Sequence, residues 1–182
     1  MTKQITTSII VLLLFVVGLT SCSPAIKKND YLVRFNDTIK DEYGYKNQNG
    51  EIVIPLGKYQ ICFTDTFKTY AIVAKSKSGF LAIDRQENAL YEVFPFDNGP
   101  DEPSDGLFRI LENKKIGFAD SATGKVVIKP QFDCAWPFEN GVAEVSTDCK
   151  TRSDGEHSRW VSDNWYYIDK NGKRIEKPKT IK

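Results

Sequence analysis

The sequence contains one histidine and no Cys-x-x-Cys pair, and these shortages remove several kinds of chemistry at the outset. A zinc knuckle or a thioredoxin-type redox site needs closely spaced thiols or imidazoles. No basic run is present, which argues against nucleic acid as the main partner, because phosphate binding depends on clustered Lys and Arg. The longest apolar run, residues 9–17, is nine residues, whereas a helix that crosses a bilayer needs about 20. Glycine and proline punctuate the rest of the chain too often for a sustained 3.6-residue period, so no long helix is expected.

What is present begins with Lys3, the apolar run and Gly18-Leu19-Thr20-Ser21-Cys22, the order of a signal peptide. Leu19-Thr20-Ser21-Cys22 resembles the lipobox of bacterial lipoproteins. The resemblance implies cleavage before Cys22, acylation of Cys22, and a membrane as partner through that lipid; Ser23 resembles the residue of lipoproteins sorted to the outer membrane. The alternative is an ordinary signal peptide or a single membrane anchor with an incidental cysteine. The division is then 1–21 as signal peptide, 22–30 as lipidated cysteine and tether, and 31–182 as one domain. Lys and Arg number 25 against 24 Asp and Glu, so loss of Lys3 leaves a neutral mature chain. With no polybasic footprint, the acyl chains have to do the anchoring. Cys62, Cys134 and Cys149 remain, enough for one disulfide and one free thiol. Cys134 with Cys149 is the more natural pair, since both flank one predicted hairpin.

From Tyr43 the chain repeats itself. Tyr43-Gly44-Tyr45 through Asn49-Gly50-Glu51-Ile52-Val53-Ile54-Pro55 matches Ile116-Gly117-Phe118 through Gly124-Lys125-Val126-Val127-Ile128-Lys129-Pro130. Each reads as strand, polar turn, strand and then proline, which ends pairing because it has no amide hydrogen. A second copy starts at Gly79-Phe80, with an eroded turn, and a last one at Trp165-Tyr166-Tyr167 with Asn171-Gly172 as its turn. Trailing strands follow at 142–145 and 107–110, after Pro137-Phe138 and Pro95-Phe96, with an insertion at 97–103. Aligned on Tyr45, Phe80, Phe118 and Tyr167, the copies lie 35, 38 and 49 residues apart, a period typical of stacked supersecondary units. Residues 31–35 form an extra strand ahead of the first copy. The expected fold is all-β: about four degenerate tandem hairpin repeats in an open twisted stack, with a closed small propeller-like array as the alternative in which that strand completes the last unit.

Residues 117–145 run Gly-Phe-x-Asp, Gly-Lys, Val-Val-Ile-x-Pro, x-Phe-Asp-x-Ala, Pro-Phe-x-x-Gly, Val-Ala-x-Val, and this pattern resembles the bacterial WG repeat. The resemblance implies a tandem β-repeat spanning 43–178 and a binding or scaffolding role, because repeats of this kind carry no single shared activity. The Trp-Gly pair itself is missing: Tyr43, Ser78 and Ile116 stand at the Trp position, and Trp165 is followed by Tyr166.

Several residues invite a catalytic or metal reading and prefer a plainer one. His157, with Cys149 or Ser153 nearby, belongs to no nucleophile motif and sits in a polar insertion that reads as a surface loop. The acidic loop 97–105 offers oxygen ligands for calcium, but it puts Glu102 where an EF-hand needs glycine and Phe108 where it needs glutamate. Asp84, Asp120 and Asp169 could be paired as glycosidase carboxylates; at matching strand ends they are better read as turn formers. No catalytic residue, metal site or cofactor is therefore assigned. Trp160, Trp165 and Trp136 are the candidate ligand contacts, since flat aromatic faces stack on sugars or anchor protein partners. Trp160 breaks the repeat register, so as a contact residue it would be removable without loss of thermal stability. The expectation is a lipid-anchored envelope protein that binds or scaffolds another envelope protein, with glycan binding, or a hydrolase using the insertion, as alternatives.

Overall fold

A computed structural model describes residues 30–75, 79–155 and 157–177, and of Asp154 and His157 the backbone only. The expected signal peptide at 1–21, the expected lipidation site Cys22, the expected tether up to residue 29 and Ser78 lie outside the described residues. Among the described residues all regular structure is β.

Four three-stranded antiparallel meanders follow one another. Unit one is β1 (Leu32–Asp37), β2 (Glu42–Lys46) and β3 (Ile52–Tyr59), followed by the short β4 (Ile61–Cys62) and β5 (Thr66–Phe67). Unit two is β6 (Tyr70–Ala74), β7 (Phe80–Asp84) and β8 (Ala89–Val93), and a small hairpin, β9 (Pro95–Phe96) with β10 (Gly99–Pro100), follows it. Unit three is β11 (Leu107–Glu112), β12 (Lys115–Asp120) and β13 (Val126–Phe132), leading through β14 (Cys134–Ala135) to β15 (Val142–Ser146). An inserted hairpin, β16 (Lys150–Asp154) with β17 (His157–Val161), then precedes β18 (Tyr166–Asp169) and β19 (Arg174–Ile175), which complete unit four with β15. The polar insertion is therefore a hairpin, where the sequence suggests a loop.

Each unit takes its first strand from the end of one sequence repeat and its other two from the start of the next. β11, the trailing strand of copy two, pairs along its length with β12 of copy three, from Leu107↔Asp120 to Glu112↔Lys115. β1 plays the same part in unit one, pairing from Val33↔Lys46 to Asp37↔Glu42. Its other flank pairs with β5 through Leu32↔Phe67 and Val33↔Thr66. β1 thus belongs to the first unit and does not complete the last; the stack is open, with no sheet closed into a barrel among the described residues.

Units are joined by the chain that leaves each third strand. It crosses to the first strand of the following unit, giving Cys62↔Val73, Val93↔Ile110 and Ala135↔Val145. An aromatic residue stands next at every crossing. The backbone N–H groups of Phe63, Phe94 and Trp136 donate to the carbonyls of Ile72, Arg109 and Glu144 at 2.9, 3.1 and 2.9 Å. Packing between units follows the same logic, since each hairpin turn rests on the unit before it. Tyr91 donates to Gly124 O at 2.7 Å, Tyr70 to Ser121 O at 2.8 Å, and Tyr59 to Glu87 Oε2 at 2.9 Å. Three apolar clusters result, centred on Tyr45 and Phe67, on Phe108 and Ile110, and on Phe118, Phe132 and Phe138.

The strand register also corrects the alignment of copy two. Tyr45, Phe118 and Tyr167 do share a position, facing Arg34, Arg109 and Glu144 across the ladder. The residue of unit two at that place, opposite Ile72, is Ala82. Phe80 lies two residues earlier, at the position of Tyr43, Ile116 and Trp165, which removes Ser78 from it. Only at Gly44 and Gly117 does the repeat need its glycine. A Cβ on Gly117 would sit 2.5 Å from Ile128 O and 2.6 Å from Pro130 N, and one on Gly44 would sit 2.6 Å from Ile54 O. Both faces are crossed by a partner strand that bulges around Pro130 or Pro55, where the register shifts. β8 has no proline and runs straight past Leu81, which pairs with Glu92, so a side chain fits there.

Candidate functional site

The carboxylates that resemble a catalytic set are consumed by the turns. Asp84 Oδ1 accepts from the backbone N–H groups of Gln86 and Asn88, each at 2.9 Å, and Asp169 Oδ1 accepts from those of Asn171 and Lys173 at the same distance. Asp120 Oδ1 accepts from Thr123 N at 2.8 Å and Thr123 Oγ1 at 2.6 Å. Asn47 fills the same place in unit one, taking Asn49 N and Glu51 N at 3.0 and 2.9 Å, and sequence comparison of the aspartates overlooked it. The bonds hold the carboxyls below their ordinary range. For Asp120 the Thr123 hydroxyl acts most strongly; for Asp169 the Lys173 amide does; at Asp84 slight burial pushes upward and is outweighed by Asn88 and Gln86. These are turn caps on separate units.

The other reactive-looking groups are similarly committed. Cys149 is joined to Cys134, so it is no thiol nucleophile, and the sequence-preferred pairing is the one present. Among the described residues Cys62 is the free, buried cysteine, and burial pushes its thiol up to about 11, which keeps it protonated and unreactive at neutral pH. The His157 imidazole lies outside the described side chains. In the acidic loop, Asp101 is 4% exposed and bound to Arg109, itself 2% exposed. Asp101 Oδ2 accepts from Arg109 N at 2.8 Å and Nε at 3.0 Å, Oδ1 accepts from Nη2, and Nη1 donates to Ala135 O at 3.2 Å. No cluster of three metal-ligating side chains occurs among the described residues.

The inserted hairpin is rooted firmly. The disulfide ties Cys149, the residue before its first strand, to β14, and Asp148 closes its neck by accepting from the hydroxyls of Ser162 at 2.6 Å and Ser146 at 2.9 Å and from the Asn164 amide. Those bonds, the Ser162 hydroxyl foremost, hold the Asp148 carboxyl low. From this root Trp160 reaches back onto the stack, with its ring centroid 5.9 Å from that of Phe94 and 5.2 Å from that of Trp136. Trp160 is thus half-buried packing that bridges two unit crossings, so its removal should cost stability, which its irregular spacing does not suggest.

Trp136 is the exposed member, at 46%. It forms one wall of a cleft of about 360 Å³ whose lining includes Phe138, Glu139, Val142, Glu144 and Tyr167. Strand pairing places three of these in one row: Trp136 N bonds Glu144 O, and Glu144 faces Tyr167 directly. Neither Glu144 nor Glu139 has an ion-pair or hydrogen-bond partner for its carboxylate among the described residues. Trp165 lies apart, in a shallow groove with Tyr166, Arg174 and Lys177. The structure brings Trp136 and Trp160 together and leaves Trp165 apart, although Trp160 and Trp165 are the two that are close in sequence. Glu144 could have been found from its place in the middle of the apolar Val142-Ala143-Glu144-Val145 strand.

Comparison with known proteins matches the model of the WG containing repeat to residues 43–64 and 116–148, so the chain is similar to that repeat over the hairpins of units one and three. No curated protein and no solved structure matches the chain.

Proposed function

We propose that the chain is a lipid-anchored protein of the bacterial cell envelope whose WG-type repeats act as a non-catalytic binding module for another envelope protein. The observation that carries the reading is the cleft beside Trp136. It is an open aromatic and acidic recess on a stack whose turn aspartates, Asp101 and Cys149 are tied up in turns, a buried ion pair and a disulfide. A recess with aromatic anchors and a polar rim is what protein recognition uses. The lipobox-like Leu19-Thr20-Ser21-Cys22 supports the anchor and its envelope location, with the outer membrane suggested by Ser23.

Two experiments test this. Cys22→Ser should move the protein from the membrane fraction to the soluble fraction, and continued firm membrane association would remove the lipid from the account. Affinity capture of the tagged chain from detergent-solubilised envelopes should recover a partner in constant ratio; recovery as a monomer from every preparation would count against the binding module. Glycan binding is the second reading, favoured by the same exposed Trp136 next to two carboxylates, and it predicts retention on a polysaccharide column that Trp136→Ala abolishes.

A further inference from the structure

We infer that the Trp136 cleft receives the guanidinium or ammonium of a basic side chain carried by the partner protein; the inference rests on the binding-module reading and gives its site a chemistry. The molecule holds a filled version of the same arrangement one unit earlier. There Phe94, at the crossing, bonds the backbone of Arg109, and the guanidinium lies 4.2 Å from the Phe94 ring centroid and 5.5 Å from that of Phe96. The 97–103 insertion brings Asp101 in to neutralise it, with Nε 3.0 Å from Oδ2. Cation, aromatic faces and carboxylate are all supplied by the chain, and the Asp101–Arg109 pair is buried beneath Phe96, which stays 56% exposed.

In unit four Trp136 occupies the place of Phe94, bonding Glu144 as Phe94 bonds Arg109. Pro137-Phe138 matches Pro95-Phe96 in sequence, but the turn at Asn140-Gly141 follows at once, with no inserted segment to fill the recess. The carboxylate now comes from the strand itself, as Glu144, with Glu139 on the rim. The element missing from the set is the cation. Lys177 approaches Tyr167, with Nζ 5.8 Å from the ring centroid, yet it lines the neighbouring groove and makes no ion pair with Glu144. An aromatic wall beside two unpaired carboxylates attracts a cation through both the ring quadrupole and net charge, whereas a neutral sugar gains from stacking and hydrogen bonds alone.

The test follows the indole N–H signals of the three tryptophans by nuclear magnetic resonance at low ionic strength, during titration with Nα-acetyl-arginine amide. Trp136→Phe assigns the relevant signal. The Trp136 signal should move saturably, the neutral isostere Nα-acetyl-citrulline amide should bind at least about tenfold more weakly, and Glu144→Gln should weaken arginine binding by about tenfold. Equal responses to arginine and citrulline, no response to either, or an unchanged response in Glu144→Gln would overturn the inference. Movement with chitooligosaccharide in place of arginine would overturn it too and assign the cleft to glycan. The capture experiment separates the two levels. Equal recovery of a partner by wild-type and Glu144→Gln protein sinks the cleft assignment while leaving the binding module standing. Arginine binding without any captured partner does the reverse.

Discussion

Gly117→Ala is the most demanding test of the way the units are built. The added Cβ would meet Ile128 O at 2.5 Å, Pro130 N at 2.6 Å and Lys129 C at 2.9 Å, and all three are backbone atoms of the strand that bulges across it. Ordinary contact begins near 3.4 Å, so the crossing strand must move by most of an ångström. That strand carries Ile128 and Phe132 into the cluster built around Phe118 and Phe138, so it cannot move alone. The cost should reach about 3 kcal/mol, the upper end for forced overpacking. With a urea dependence of about 2 kcal/mol per molar, the unfolding midpoint should fall by about 1.5 M. Gly141→Ala is the control: nothing lies within 4 Å of its added Cβ, but its φ of +85° disfavours a side chain. It should cost only about 1 kcal/mol. A Gly117→Ala midpoint within about 0.3 M of wild type, which at that slope is less than 1 kcal/mol, would refute the argument that the bulged strand dictates the glycine.

Other outcomes follow from single contacts. Asp101→Asn leaves Arg109 buried without its counter-charge and should cost about 3 kcal/mol in urea unfolding, with the Asp101→Asn, Arg109→Gln double variant costing less than the sum of the singles. Reducing Cys134–Cys149, which spans a separation of 15 residues, should lower stability by about 3 kcal/mol in thermal unfolding with and without reductant. Trp160→Ala should lower stability by about 2 kcal/mol through lost packing on Phe94 and Trp136; an unchanged melting temperature would return Trp160 to the ligand contacts. Asp120→Asn should fold normally, as Asn47 already does in unit one. Because the folded-state carboxyls of Asp84, Asp120 and Asp169 are depressed, their contribution is present above the ordinary carboxyl range and lost as pH falls through the lower folded values. Unfolding followed from pH 5 to about pH 2 should therefore show a shallower acid loss in Asp120→Asn than in wild type.

What could be read in the sequence was local. The turn aspartates, the hairpins that end in proline and the cysteine pair follow from residues close together in the chain, and the all-β repeat follows from their recurrence. Copy two was aligned on Phe80 because its aromatic ring looks like Phe118. The shared requirement is the turn cap, which places Asp84 with Asp120 and Ala82 with Phe118. Aromatic identity is negotiable when packing differs, whereas a carboxamide or carboxylate at the cap satisfies backbone amides in every unit, which is also why Asn47 substitutes so readily. Two features needed three-dimensional information. The shift of the unit by one strand depends on where β1 and β11 pair, and the Asp101–Arg109 pair depends on a small hairpin folding back over β11. The cleft followed the same course: Trp136 stands out by residue type and Tyr167 only as a repeat position, and only the crossing after β13 sets them on either side of Glu144.

The most direct measurement of the binding-module claim is site-specific photocrosslinking in living cells. A photoreactive amino acid in place of the exposed Asn140, beside the cleft rim at Glu139, should give a discrete crosslinked product with one envelope protein, and the same residue at the exposed Val53 of unit one should not. Absence of a product at position 140, or the same products from both positions, would contradict the claim that this cleft is where the protein meets its partner.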